Sequence, residues 1–306
     1  MSIFSLTSRA GPTGFGYAST AEDVTFGVSL TGKTILVTGC NSGLGLETMR
    51  VLALRGAHVI GTARSETKAV PAAQSVNGKA TGLACELEDP ASIRKCIAAI
   101  KAAGYQLDVI IANAGIMALP NLELVHGIER QLFTNHIGHF MLVTGLMGSL
   151  MADARVVMLS SSAHKMAPPS GIDFDNLDGK KGYKPWTFYG QSKMANLLFA
   201  KELARRFSGT KKTAYAVHPG VISTNLGRHM NPVVGTIFNF SGPLFLKSIP
   251  QGAATECFCA ANPKAIPLSG NYFADCNVAS CRAEANDPSL AARLWDVSEK
   301  IVEKLK

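Results

Sequence analysis

No stretch of this chain is apolar for long enough to cross a bilayer: every hydrophobic run in its 306 residues is interrupted well short of the roughly 18 positions a spanning helix needs. Cysteine does not build a framework either. The 7 cysteines are scattered and odd in number, and neither Cys257-Phe258-Cys259 nor Cys276 with Cys281 has zinc-site spacing. A reducing, cytoplasmic setting is therefore expected, and no metal centre. Runs of basic charge are missing as well. The net charge of +8 is dispersed and lacks interleaved aromatics, which argues against nucleic acid and leaves attraction of an anionic cofactor as the plainer meaning. The opening Met1-Ser2-Ile3-Phe4 reads as neither membrane anchor nor signal peptide. The Ser/Thr content before Glu22 reads as a solvated tail, though it keeps a plastid location open.

Nearly half of the residues, 47%, are hydrophobic, enough for one substantial core. Apolar runs alternate with helical periods, placing strands near 34–38, 57–62, 80–85, 107–112, 154–160, 213–218 and 270–274. The pattern predicts an α/β, single-domain Rossmann fold: a doubly wound, seven-stranded parallel sheet with helices on both faces. The domain spans residues 31–306, behind an N-terminal extension of residues 1–30. The irregular stretch near 221–250 holds Val233, Val234, Ile237, Phe238, Phe240, Leu244, Phe245 and Leu246. It is expected to cover a substrate as a lid, with peripheral membrane contact as the other reading.

Four motifs carry chemistry. After the strand Thr34-Ile35-Leu36-Val37 comes Thr38-Gly39-Cys40-Asn41-Ser42-Gly43-Leu44-Gly45, opening a helical pattern; such a turn lets backbone approach a pyrophosphate and offers it the first helix amides. The run Val109-Ile110-Ile111-Ala112-Asn113-Ala114-Gly115 ends a strand in small residues. Arg155 to Leu159 delivers the hydroxyls of Ser160, Ser161 and Ser162 to the strand edge where α/β sheets bind ligands. Tyr189 and Lys193, four apart on a helix, share one face, where a cation favouring the phenolate would make an acid/base pair.

In this order the motifs resemble the short-chain dehydrogenase/reductase family, and the resemblance runs from about Leu30 to the C-terminus. Asn135-His136-Ile137-Gly138-His139-Phe140, His218-Pro219-Gly220-Val221 and Leu294-Trp295-Asp296-Val297 look like its retinol dehydrogenase branch. The segment Gly14 to Glu22 looks like the lead-in of plant members related to a chloroplast import component. The resemblance implies Tyr189 as the general acid or base, with Lys193 lowering its pKa and binding the nicotinamide ribose. It implies Ser161 as the residue polarising the substrate carbonyl and Asn135 as holder of a relay water. Gly39, Asn41, Ser42, Gly43, Leu44 and Gly45 would take the pyrophosphate. Glu86, Leu87, Asn113, Ala114 and Gly115 would flank adenine and ribose, and Pro219, Gly220, Val221 and Thr224 the nicotinamide. Arg64, where an NAD enzyme usually has an acid, favours NADP(H) through its 2′-phosphate. His136, His139 and His164 are expected to be packed structural residues, not bases or ligands.

The function these readings imply is reduction of a lipophilic aldehyde or ketone, retinal-like or other, by NADP(H). Two alternatives stand beside it: a light-dependent protochlorophyllide reductase-like enzyme, and a non-catalytic NADP(H)-sensing partner protein. Relatives often pair through the helices carrying Asn135 and Tyr189, so a homo-oligomer, dimer or tetramer, is also implied.

Overall fold

The computed structural model of the protein describes residues 8–222 and 246–305. Its inner strands are buried because helices cover both faces, while the edge strand Ala80–Ala84 is half-buried along its length. The strands are β1 (Thr34–Thr38), β2 (His58–Ala63), β3 (Ala80–Ala84), β4 (Leu107–Ala112), β5 (Leu150–Leu159), β6 (Thr213–His218) and β7 (Tyr272–Ala274), joined at the edge by β8 (Asn277–Val278). The sheet order is β8-β7-β6-β5-β4-β1-β2-β3, parallel throughout except for the antiparallel β8–β7 pair. Strand order reverses between β1 and β4, which opens a crevice at the C-terminal strand ends, where ligands bind in this architecture.

On one face lie α1 (Ala21–Val24), α2 (Gly43–Leu54) and α7 (Ile249–Ala261), whose Met49, Leu52, Cys257 and Phe258 are sealed against Val37, Val59 and Ile111. On the other lie α4 (Pro90–Ala102), the helix running from Arg130 to Gly145 (α5), α6 (Pro185–Arg206) and α8 (Pro288–Lys304). Their Ile93, Leu142, Leu198 and Trp295 pack on Leu36, Ile110 and Val156. The helix α3 (Glu66–Gln74) connects β2 to β3.

Three expectations change. The sheet has eight strands, not seven, because Asp275 and Cys276, with φ of 50° and 62°, turn the chain back into the short β8; Cys276 stands where the glycine that marks such turns would be expected. Strand β5 starts at Leu150, four residues before the expected 154, and the exposed Met151, Ala152 and Asp153 hide that start in the sequence. The N-terminal segment is not a solvated tail over its described part. Thr20 and Asp23 close a reciprocal cap on α1, whose Ala21 and Val24 are fully buried. Phe15 meets Phe258 edge to face at 5.8 Å, Thr13 Oγ1 donates to the Cys276 carbonyl at 3.0 Å, and Asn277 Nδ2 donates to the Phe15 carbonyl at 2.9 Å.

The lid residues Val233, Val234, Ile237, Phe238, Phe240, Leu244 and Phe245 lie outside the described residues, as does Thr224. No helix among the described residues is long and apolar enough to cross a membrane.

Candidate active site

The turn after β1 is shaped by what a side chain would strike. Gly39 has φ of 74°, and a Cβ there would come within 3.0 Å of the Ala114 Cβ and 3.2 Å of Asn113 Nδ2. At Gly45 a Cβ would collide with the Gly39 carbonyl, so α2 can press on the turn only through glycine. Asn113 Nδ2 donates to the Thr38 carbonyl at 2.7 Å and the Ala114 amide to Thr38 Oγ1 at 2.9 Å, which locks the second motif onto the first. Ser42 is the N-cap of α2 but makes no side-chain cap, leaving the first amides, at Gly43, Leu44 and Gly45, directed at the crevice. These features fit a pyrophosphate, with Asn41 on the same turn.

Arg64 follows β2 and is exposed. Its charge acts on Glu86, whose carboxyl is pushed up mainly by burial while Arg64 pulls the other way. Leu87 is buried, with its carbonyl 2.5 Å from where a Cβ on Gly138 would stand, so α5 closes tightly over the expected adenine side.

Asn135 sits at the centre of a π turn, Phe133–Ile137, within α5, a distortion that recurs at functional sites. Its Oδ1 accepts from the Ile116 amide at 2.8 Å, and its Nδ2 donates to the Ile116 carbonyl and to Ser192 Oγ, both at 2.9 Å. Ser161 caps a 3₁₀ turn, Ser162–Met166, accepting from the Ala163 amide at 3.1 Å. Ser160 turns inward and donates to the Lys193 carbonyl at 2.7 Å. A Cβ on Gly115 would lie 3.0 Å from Asn135 Oδ1 and 3.4 Å from Lys193 Nζ, so the NAG turn, the π turn and α6 converge on one point. Gly220, with φ of 92°, lies against the Lys247 side chain, and Val221 is exposed.

The electrostatics differ from the sequence expectation. Burial pushes the Tyr189 phenol up to about 12, and its hydrogen bond with Ser161 only partly offsets that. Lys193 Nζ lies 5.7 Å from the centre of the Tyr189 ring and donates to the Leu159 carbonyl at 3.2 Å. Burial also holds the ammonium down, at about 8. Burial, not the ammonium, therefore dominates the phenol pKa here.

Sequence reading missed several neighbours. Ser192, between the two α6 residues, ties Asn135 to the Tyr189 carbonyl, donating to it at 2.8 Å. The Trp186 ring stands edge-on to Tyr189 at 6.1 Å, and its place one turn earlier on α6 was the available signal. His139 and His164 each place Nδ1 against a carbonyl of the expected tetrad, those of Asn135 at 2.9 Å and Ser161 at 2.7 Å. His136 Nε2 meets Ser298 Oγ at 2.9 Å. Two cavities of about 590 Å³ lie at the opposite edge of the sheet. Arg155, in one of them, already donates to the carbonyls of Cys259 and Asn262 at the end of α7.

A sequence profile of the short chain dehydrogenase family matches residues 33–174. The chain is 41% identical over its whole length to the whole of short-chain dehydrogenase TIC 32 A, chloroplastic, of Brassica napus. It belongs to the short-chain dehydrogenase/reductase family. Human retinol dehydrogenase 14 is 38% identical, over 90% of this chain and 88% of that protein. Among solved structures of the family's fold, an uncharacterised protein from Mycobacterium paratuberculosis superposes with a TM-score of 0.74 at 34% identity, covering 93% of this chain and 97% of the other. A metagenomic blue fluorescent protein in complex with NADPH superposes with a TM-score of 0.64 at 25% identity, covering 80% and 96%. As a member of this family the chain is an oxidoreductase of CH–OH and C=O groups with a nicotinamide cofactor.

Proposed function

We propose that the chain reduces lipophilic aldehydes or ketones with NADPH, with Tyr189 as proton donor. The observation that carries this reading is the meeting of Asn135 and Lys193 beside Gly115, with the Lys193 ammonium 5.7 Å from the centre of the Tyr189 ring and Ser161 near enough to the phenol to lower its pKa. A phenol held at about 12 keeps its proton at neutral pH, which suits donation to a carbonyl oxygen and so favours reduction. Ser161 would share the carbonyl oxygen by donating its own hydrogen. Lys193, still charged at neutral pH with a pKa near 8, would hold ribose hydroxyls and steady the phenolate left after transfer. Asn135 would hold a water through which Tyr189 regains its proton. When bound, the reduced nicotinamide supplies the hydride.

Gly39, Asn41, Ser42, Gly43, Leu44 and Gly45 would hold the pyrophosphate, and Glu86, Leu87, Asn113, Ala114 and Gly115 the adenine side and ribose. Pro219, Gly220 and Val221 would border the nicotinamide. Arg64, exposed at the end of β2, supports NADP(H) over NAD(H) because it can pair with a 2′-phosphate. A lipophilic substrate is supported by Trp186, edge-on to Tyr189, and Val221, next to Gly220, which stay 41% and 50% exposed.

The test is loss of NADPH absorbance with a series of aldehydes of increasing chain length. Turnover rising with chain length supports the reading; no oxidation of NADPH with any aldehyde or ketone, despite tight NADPH binding, favours a nucleotide-sensing role.

A further inference from the structure

We propose that His139 is a positioning residue that holds Asn135 against the cofactor strand; the proposal rests on the site reading above. His139 is fully buried on α5, one turn beyond Asn135. Its Nδ1 lies 2.9 Å from the Asn135 carbonyl oxygen, an atom that only accepts, so Nδ1 carries the hydrogen and donates it. Burial, with the charge of Lys193 as a smaller contribution, pulls the imidazole down to about 4, so the ring is neutral and Nε2 is an acceptor. Thr38 Oγ1, 2.8 Å from Nε2, must therefore donate to the ring. Its lone pairs are then free for the Ala114 amide at 2.9 Å.

Every hydrogen in this chain has one allowed direction. Ala114 donates to Thr38, Thr38 to His139, and His139 to Asn135; beyond it Asn135 Nδ2 donates to Ser192, and Ser192 to the Tyr189 carbonyl. Two runs of hydrogen bonds, one ending on the Asn135 backbone carbonyl and the other starting at its side-chain amide, thus join the strand end under the dinucleotide turn, the NAG turn, the π turn and the helix of the proton donor. An apolar residue of equal volume would fill the same space, but it would leave the Thr38 hydroxyl and the Asn135 carbonyl without the ring between them.

Asparagine and glutamine each mimic half of the imidazole: the asparagine amide nitrogen falls near Nδ1, and the glutamine amide oxygen reaches the place of Nε2. His139→Ala and His139→Gln should lower kcat on an aldehyde about tenfold or more, the scale of one good buried hydrogen bond. His139→Asn should recover most of that kcat while weakening NADPH binding about three- to tenfold, because Thr38 then lacks its acceptor. Thr38→Val should reproduce the binding loss with His139 intact. NADPH binding is read by fluorescence titration, which needs no turnover. The proposal is overturned if the asparagine and glutamine variants lose kcat and NADPH affinity in parallel with Tm, since the ring would then only fill space. It is also overturned if neither variant differs from the parent. If the parent itself reduces no carbonyl, the functional reading fails, while unchanged NADPH affinity in His139→Asn and Thr38→Val still sinks the proposal.

Discussion

Replacing Glu256 by glutamine should stabilise the protein in a way that depends on pH. Glu256 lies on α7 with its side chain fully buried against α2, where Thr48 donates to Oε1 and Oε2 has no hydrogen-bond partner among the described residues. Burial raises its carboxyl from 4.5 to about 7. The folded state therefore binds a proton more tightly than the unfolded chain does, and stability falls as pH rises from the unfolded to the folded pKa. A shift from 4.5 to about 7 corresponds to about 3 kcal/mol of penalty once pH exceeds both values, and to under about 1 kcal/mol near pH 5. Glutamine keeps an oxygen for Thr48 and carries no charge at any pH. Denaturant midpoints of parent and Glu256→Gln should thus nearly coincide near pH 5 and separate by about 2–3 kcal/mol near pH 8, with the variant more stable. Two curves that stay parallel across that range would mean that the carboxylate is not buried as a charge, and the reasoning would fail.

Tyr189→Phe should abolish turnover while leaving NADPH affinity close to that of the parent, because the ring stays and only the transferable proton goes; retained kcat would refute the proton-donor role. Arg64→Ala should weaken NADPH by about ten- to a hundredfold and leave NADH nearly unchanged, and equal losses in paired titrations would place the 2′-phosphate contact elsewhere. Gly115→Ala puts a methyl 3.0 Å from Asn135 Oδ1 and 3.4 Å from Lys193 Nζ; calorimetric titration should register a lower nicotinamide cofactor affinity, and unchanged binding would remove the NAG turn from the site. Phe15→Ala should cost about 2 kcal/mol of stability through its contacts with Phe258 and Lys264, whereas an unaltered denaturant midpoint would mean that the N-terminal segment adds nothing to the fold.

The sheet was legible because both of its faces are covered: strands such as Ile35 to Val37 and Val109 to Ile111 are continuous apolar runs bounded by turn signals. The ends of those strands were legible for the same reason, which is how the glycine turn, NAG and the strand-end serine could be placed on one edge; Tyr189 and Lys193, on a helix, joined them through the order of motifs the family uses. What could not be read depends on contacts between distant segments. Periodicity marks His139 as buried but says nothing of Thr38, which lies 101 residues away and fixes the ring's role. Spacing puts Lys193 beside Tyr189, yet the balance between its charge and the desolvation of the phenol needs the surrounding packing. The docking of Thr13 and Phe15 on residues some 260 positions later has no local signature at all.

That docking has a consequence for how the protein behaves in a crowded solution. Strand β8 is the outer edge of the sheet, and an edge offers unpaired amides and carbonyls on which another chain can build. Here the edge is two residues long, and the N-terminal segment lies across it: Asn277 is held from both sides by Thr13 and Phe15, and Gly11 lies so close that a Cβ there would come 2.6 Å from the Asn277 side chain. The segment thus works as a cover strip. Removing it would uncover the border of a large parallel sheet together with the apolar face of α7, and self-association through that border would compete with function even where every residue of the crevice was intact.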